Sequence, residues 1–159
     1  EGIYMHFKTI AESTTHPIMM YNIPSRCGVN MNYETVVKLY DEFENIVAIK
    51  EASGSLSQIQ DIIKNCNIKI FAGDDSQLVP VMSIGGKGVV SVYANINSKS
   101  VLDCYQMCVY EKYSEARKLY FNYHDEVKAL FVKTNPIPVK EMLADQRMIV
   151  NKTCRLPLC

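Results

Sequence analysis

The chain has 159 residues, sets 17 Lys and Arg against 17 Asp and Glu, and is 48% hydrophobic. That composition describes one globular domain, or part of one, with enough apolar material for a core. The zero net charge offers no global attraction to nucleic acid or an anionic membrane, and no apolar run approaches bilayer-spanning length. At the start, Ile3, Phe7 and Ile10 stand at helical spacing up to Glu12, and His16-Pro17 breaks the pattern. Glu1-Gly2-Ile3-Tyr4 lacks the basic and apolar regions of a signal peptide. A first residue other than Met leads us to expect a processed, truncated or partial chain.

Ile18 to Tyr21 is a short apolar run and is predicted as a strand. Asn22 to Gly28 is predicted as a loop, punctuated by Asn, Pro, Ser and Gly. Asn32 is placed to cap a helix carrying Val36, Tyr40 and Phe43 on one stripe, with Asn45 closing it. Ile46-Val47-Ala48-Ile49 is a second strand ending in Lys50. Ser55 caps the next helix, which carries Leu56, Ile59, Ile62 and Ile63 and ends near Asn65 and Asn67. Ile68 to Phe71 is a third strand, followed by the polar turn Gly73-Asp74-Asp75. Leu78 to Ile84 is a short helix, and Gly88 to Val92 a fourth strand. From Ser98 onward the periodicity is helical only: Val101 to Val109, Tyr113 to Phe131, and Pro136 toward Leu143.

Strands alternating with helices predict a parallel α/β sheet, and continuous apolar runs suit strands buried on both faces. The division expected is a region of alternating strands and helices over 1–96 and a helical region over 97–159. The six cysteines contain no C-x-x-C pair, and the three histidines are scattered. Cys104 and Cys108 share one helix face and read as buried small side chains; the usage fits a reducing, cytoplasmic compartment.

The stretch from Ile46 to Gly54 organises the rest. Alternation along a strand puts Ile46, Ala48 and Lys50 on one face. Burying a charged amine is costly, so Lys50 is expected to gain a partner or a lowered pKa. A neutral lysine amine attacks carbonyls and forms Schiff bases; the plain alternative is a lysine that reaches solvent. Functional groups in α/β barrels gather at the carboxyl ends of strands. Polar residues recur there: Tyr21, Asn22 and Arg26; Lys50 and Glu51; Asp74 and Asp75; Ser91 and Asn95. Neighbouring strands lie about 4.8 Å apart, so Tyr21 and Lys50 can converge. A phenol beside an amine can shuttle protons, and a guanidinium such as Arg26 can clamp a carboxylate. A core tyrosine and a solvated loop arginine are the ordinary alternatives. Asp74 and Asp75 read as turn residues, since nothing at suitable spacing completes a metal site.

Taken in order, Tyr21-Asn22-Ile23-Pro24-Ser25-Arg26-Cys27-Gly28, Ile49-Lys50-Glu51-Ala52-Ser53-Gly54, Gly73-Asp74-Asp75, Gly85-Gly86-Lys87-Gly88-Val89-Val90-Ser91-Val92, Asn135-Pro136-Ile137-Pro138-Val139-Lys140 and Arg155-Leu156-Pro157-Leu158 resemble the dihydrodipicolinate synthase family. This Schiff-base (β/α)8 class also contains N-acetylneuraminate lyase. The resemblance implies an α/β fold: the C-terminal half of a TIM barrel, holding its last four strands, followed by a C-terminal helical extension. It implies that Lys50 forms the Schiff base with pyruvate, Tyr21 relays protons, Arg26 binds the carboxylate of L-aspartate 4-semialdehyde, and the Val90 carbonyl lies near the pyruvate pocket. The implied lyase reaction gives 4-hydroxy-tetrahydrodipicolinate, in lysine and diaminopimelate biosynthesis. It calls for no metal, nucleotide or PLP cofactor, because the lysine is itself the covalent group. The full-length form would be a homo-oligomer, a dimer or tetramer. The sialic-acid lyases share the tyrosine and lysine but usually lack the arginine, so Arg26 favours the synthase. The alternatives are another pyruvate-dependent class I aldolase, or a non-catalytic fragment that only associates with a partner chain. Two departures stand out. Cys27 replaces the usual Thr, and 159 residues fall short of the roughly 200 to 250 of a whole barrel. The resemblance places the first four strands, and the rest of the proton relay, before Glu1.

Overall fold

A computed structural model describes residues 1–158. The chain divides into two compact units, one over Glu1–Val90 and one beginning at Ser91.

The first unit alternates helices and strands: α1 (Gly2–Glu12), β1 (Ile18–Asn22), α2 (Pro24–Cys27), α3 (Tyr33–Glu42), β2 (Ile46–Glu51), α4 (Leu56–Asn65), β3 (Lys69–Ala72), a 3₁₀ turn (Asp75–Gln77), α5 (Leu78–Ser83) and β4 (Gly88–Val89). The strands form one sheet in the order β1-β2-β3-β4, with every pair parallel. Parallel neighbours need a crossover, which the intervening helices supply. Two helix starts follow the sequence directly. The side chains of Asn32 and Ser55 accept from the backbone N–H of Thr35 and Gln58, each at 3.2 Å.

The core lies on one side of the sheet. Met20, Ile49, Ile70 and Ala72 pack with Ala11 of α1, Val36 and Leu39 of α3, Ile59 and Ile62 of α4, and Val81 of α5. These helices bury their apolar stripes on that face and leave their polar faces to solvent. On the other face Met19 and Tyr21 stay 45% and 43% exposed.

Several local expectations change. Asn22 to Gly28 is not all loop. Pro24 opens the short helix α2, since its fixed φ and missing N–H suit a first helical position. Gly28 closes it at φ 68°, a left-handed conformation that favours glycine. Asn45 does not close α3, which ends at Glu42. Its side-chain amide instead donates to the carbonyls of Ala11 and Thr14, tying down the end of α1. Register slips by one residue between Ile18 and Met19, so Met19 pairs with Ala48. Ile46 therefore joins Ile49 in the core, and only Ala48 and Lys50 keep the expected shared face. β4 pairs regularly only over Gly88–Val89, although the Val90 N–H still donates to the Ala72 carbonyl at 2.9 Å. The hydroxyl of Ser91 accepts from the Ala94 N–H at 2.8 Å and turns the chain toward helix.

The second unit consists of α6 (Ala94–Val109), α7 (Tyr113–Ala129) and α8 (Ile137–Asp145). α6 begins earlier than its periodicity suggested, and it kinks at Asn97, whose φ and ψ are −144° and 78°. The Asn97 side chain accepts from the Ser100 N–H at 3.1 Å and so restarts the helix with a cap of its own. α7 stops at Ala129, two residues short of Phe131. Val101, Cys104 and Cys108 of α6 are buried with Ala116, Tyr120, Tyr123 and Val127 of α7. Tyr93 stacks on Tyr123 at 4.9 Å between centroids and donates to Glu126 at 2.6 Å. Burial, and then Glu126, push its phenol up to about 12. Among the described residues, no helix is long and apolar enough to cross a membrane.

Candidate active site at the carboxyl ends of the strands

Register sets the geometry of the site. Tyr21 pairs with Lys50, Lys50 with Phe71, and Phe71 with Gly88, so these residues form one row across the sheet near its carboxyl end. Lys50 is half-buried, and its Nζ stands over the Tyr21 ring, 4.1 Å from the centroid. An ammonium at that distance is attracted to the negative face of the ring. A neutral amine there lies beside a phenol able to move protons.

One residue further along each strand the side chains turn to the opposite face. Asn22 and Glu51 pair in register and are 2% and 3% exposed. The Asn22 side-chain amide donates to both carboxylate oxygens of Glu51, at 3.1 and 3.0 Å. Gln58 of α4 donates to Glu51 Oε2 at 3.0 Å, and the Ser53 N–H to Oε1 at 2.7 Å. Asn22 also donates to Asn30 Oδ1 at 2.9 Å and accepts from the Met31 N–H at 3.0 Å. Neutral donors thus surround a buried carboxylate, and the ion pairs found among the described residues all lie elsewhere.

Arg26 sits exposed in the last turn of α2, on the connection that leaves the carboxyl end of β1. Val90 follows β4 and is partly exposed. All four residues singled out in the sequence, Tyr21, Arg26, Lys50 and Val90, therefore stand at the same end of the sheet. Direct contact joins Tyr21 to Lys50. Asp74 and Asp75 follow β3, and Asp75 is buried. Burial, and then the charge of Asp75, raise the Asp74 carboxyl above its usual range, while the charge of Lys50 pulls it back. Among the described residues no three His, Cys, Asp or Glu side chains gather as a metal would require.

Sequence reasoning put Asn22 and Glu51 at strand ends without separating their face from that of Tyr21 and Lys50. The one-residue offset carried that signal. Nothing in the local pattern announced Asn30 or Gln58, because their role depends on how α3 and α4 dock.

Residues 1–159 match the sequence model of the dihydrodipicolinate synthetase family. The 4-hydroxy-tetrahydrodipicolinate synthase of a Sulfurihydrogenibium species is 43% identical over 99% of this chain and 55% of its own length. That of Methanococcus aeolicus is 42% identical over 100% of this chain and 55% of its own. The crystal structure of dihydrodipicolinate synthase from Aquifex aeolicus superposes with a TM-score of 0.97 at 40% identity, covering 99% of this chain and 54% of that one. The chain thus spans about half the length of the relatives it matches. Its four parallel strands and their helices are the C-terminal half of a (β/α)8 barrel with a helical extension. Shared sequence over the whole chain and shared backbone geometry lead to one assignment: the chain belongs to the dihydrodipicolinate synthetase family.

Proposed function

We propose that this chain carries the Schiff-base portion of an enzyme that condenses pyruvate with L-aspartate 4-semialdehyde to give 4-hydroxy-tetrahydrodipicolinate. The observation that carries the reading is the Lys50 amine held over the Tyr21 ring, 4.1 Å from its centroid, at the carboxyl end of a parallel sheet. Strand ends of this kind are where barrels of this class keep their chemistry. The names of the relatives support the choice of reaction.

The steps follow from the groups present. The neutral Lys50 amine adds to the ketone carbon of pyruvate, and the carbinolamine loses water as Tyr21 passes a proton to the departing oxygen. Loss of a proton from the methyl carbon turns the imine into an enamine. That carbon attacks the aldehyde of the semialdehyde, and the new alkoxide takes a proton. The amine of the second substrate then attacks the imine carbon, closes the ring and releases Lys50. Arg26 binds the semialdehyde carboxylate through its planar fork of donors. Val90 presents its backbone carbonyl beside the pyruvate pocket. The alternative substrate class, sialic acids, is disfavoured by Arg26.

The test is intact-mass analysis of the 159-residue chain after incubation with pyruvate and borohydride. One reduced pyruvyl adduct is expected, absent in Lys50→Ala. No adduct on the wild-type chain would overturn the claim that this chain activates Lys50 by itself. An adduct that survives Lys50→Ala would overturn the choice of lysine.

A further inference from the structure

We infer that Glu51 is a positioning residue that acts through Asn22 to hold Lys50 against Tyr21; its catalytic consequence rests on the reading above. Register carries the constraint. Tyr21 and Lys50 are cross-strand partners on the open face, and Asn22 and Glu51 are the next partners on the packed face. A hydrogen-bonded pair on the packed side fixes the separation and stagger of the two strand ends. The residues immediately before them cannot shift independently, since their backbones are contiguous. Glu51 is the hub of that clamp. It accepts from Asn22 on β1, from Gln58 on α4 and from the Ser53 N–H in the turn after β2. Asn22 extends the hold to Asn30 and Met31, beyond the turn that carries Arg26.

A purely structural account explains this arrangement poorly. An apolar pair of similar volume would pack on that face without the desolvation cost of a buried carboxylate. Such a network constrains orientation because each donor has one place to point. A carboxylate accepts at every position, whereas a Gln side chain in its place offers one oxygen and two N–H donors. Glu51→Gln would therefore turn an N–H toward Ser53, Asn22 or Gln58 and open the clamp while keeping the volume.

The first readout is independent of activity. With ¹³C-labelled lysine, the ε-methylene protons of Lys50 should be displaced upfield by the Tyr21 ring beneath the amine. In Glu51→Gln that displacement should collapse, with helical circular dichroism unchanged. Gln58→Ala removes one of the donors to Glu51, together with the links of Gln58 to Asn30 and Met31, and should reduce it in part, which guards against a Glu51 variant that fails to fold. An undisplaced Lys50 signal in the wild type, or a signal unchanged in Glu51→Gln, overturns the inference.

The second readout is the limiting rate of imine trapping at saturating pyruvate. Misplacement of about 1 Å can cost about a hundred-fold, so a ten- to hundred-fold fall is expected in Glu51→Gln, with a smaller change in half-saturating pyruvate. Tyr21→Phe should then cost much less in the Glu51→Gln background than in the wild type, because the two act on one geometry. Equal losses in both backgrounds would overturn action through the Tyr21–Lys50 pair. A wild type that forms no adduct would show that this chain does not activate Lys50 by itself, while the resonance of Lys50 would still decide the clamp.

Discussion

The two faces of the β1–β2 strand pair differ more than their shared backbone suggests. The packed face holds Met20, Ile49, Asn22 and Glu51 under helices, and its polar members have partners. The open face carries Met19, Tyr21 and Lys50, which no helix of the first unit seals to the same degree. In a closed barrel of the relatives' kind the open face is the interior. Stability is therefore concentrated on one side of the sheet and the candidate chemistry on the other. The two are linked residue by residue, because each position proposed for catalysis is followed by one on the packed face.

Substitutions in adjacent strands break that comparison most sharply. Ile49→Ala empties a fully buried site against α3 and α4 and should cost about 2–5 kcal/mol. Met19→Ala, on the open face, should cost no more than about 0.5 kcal/mol. Urea denaturation of both variants checks the pair, and similar losses would mean that the open face is packed after all.

Gly73 offers a test at the seam between the faces. Its N–H donates to the Glu51 carbonyl at 2.7 Å, and a Cβ there would come within 2.3 Å of the Ala52 Cβ and 2.9 Å of its Cα. Backbone must move to admit it, so Gly73→Ala should lose about 1–3 kcal/mol. The displaced segment follows directly from Lys50 and Glu51, so the variant should also slow imine trapping. A variant that denatures normally and traps at the wild-type rate would show the approach to be less tight than drawn. Asn32→Ala is the milder counterpart on the packed side. It removes the α3 cap and should cost about 1 kcal/mol with no change in trapping.

Much of this division was legible beforehand, and the reason is periodicity. The apolar runs ending at Tyr21, Lys50 and Phe71 defined parallel strands, and the caps at Asn32 and Ser55 were recognisable from residue type and place. The pairing of Tyr21 with Lys50 followed from their common position at strand ends. Less visible was whatever depended on contacts distant in sequence. The register slip at Ile18 moved Ile46 to the core, and no feature of the run itself distinguishes that from strict alternation. Asn45 looked like a helix terminator and proved to bind the end of a different helix. Gln58 carried no signal in the sequence, and only the docking of α4 brings it to Glu51. The short helix α2 was hidden by Pro24, which marks loops and first helical turns alike.

The smallest effect lies at Asp74, and it probes the charge on the open side. Its carboxyl has a raised pKa when folded, through burial and Asp75, against an ordinary value of 3.8. Between those two values the native state binds more protons than the unfolded chain, so stability falls as pH rises through that window and levels off above it. Asp74→Asn cannot ionise and should lose this decline. Urea midpoints measured from pH 3.5 to 7 should therefore favour the variant increasingly as pH rises. Lys50 opposes the shift, so removing its charge should enlarge it. The gain from Asp74→Asn near neutral pH should accordingly be larger in a Lys50→Met background than in the wild type. Equal gains would separate Asp74 electrostatically from Lys50, and the carboxyl end of the sheet would then hold two independent charges in place of one coupled set.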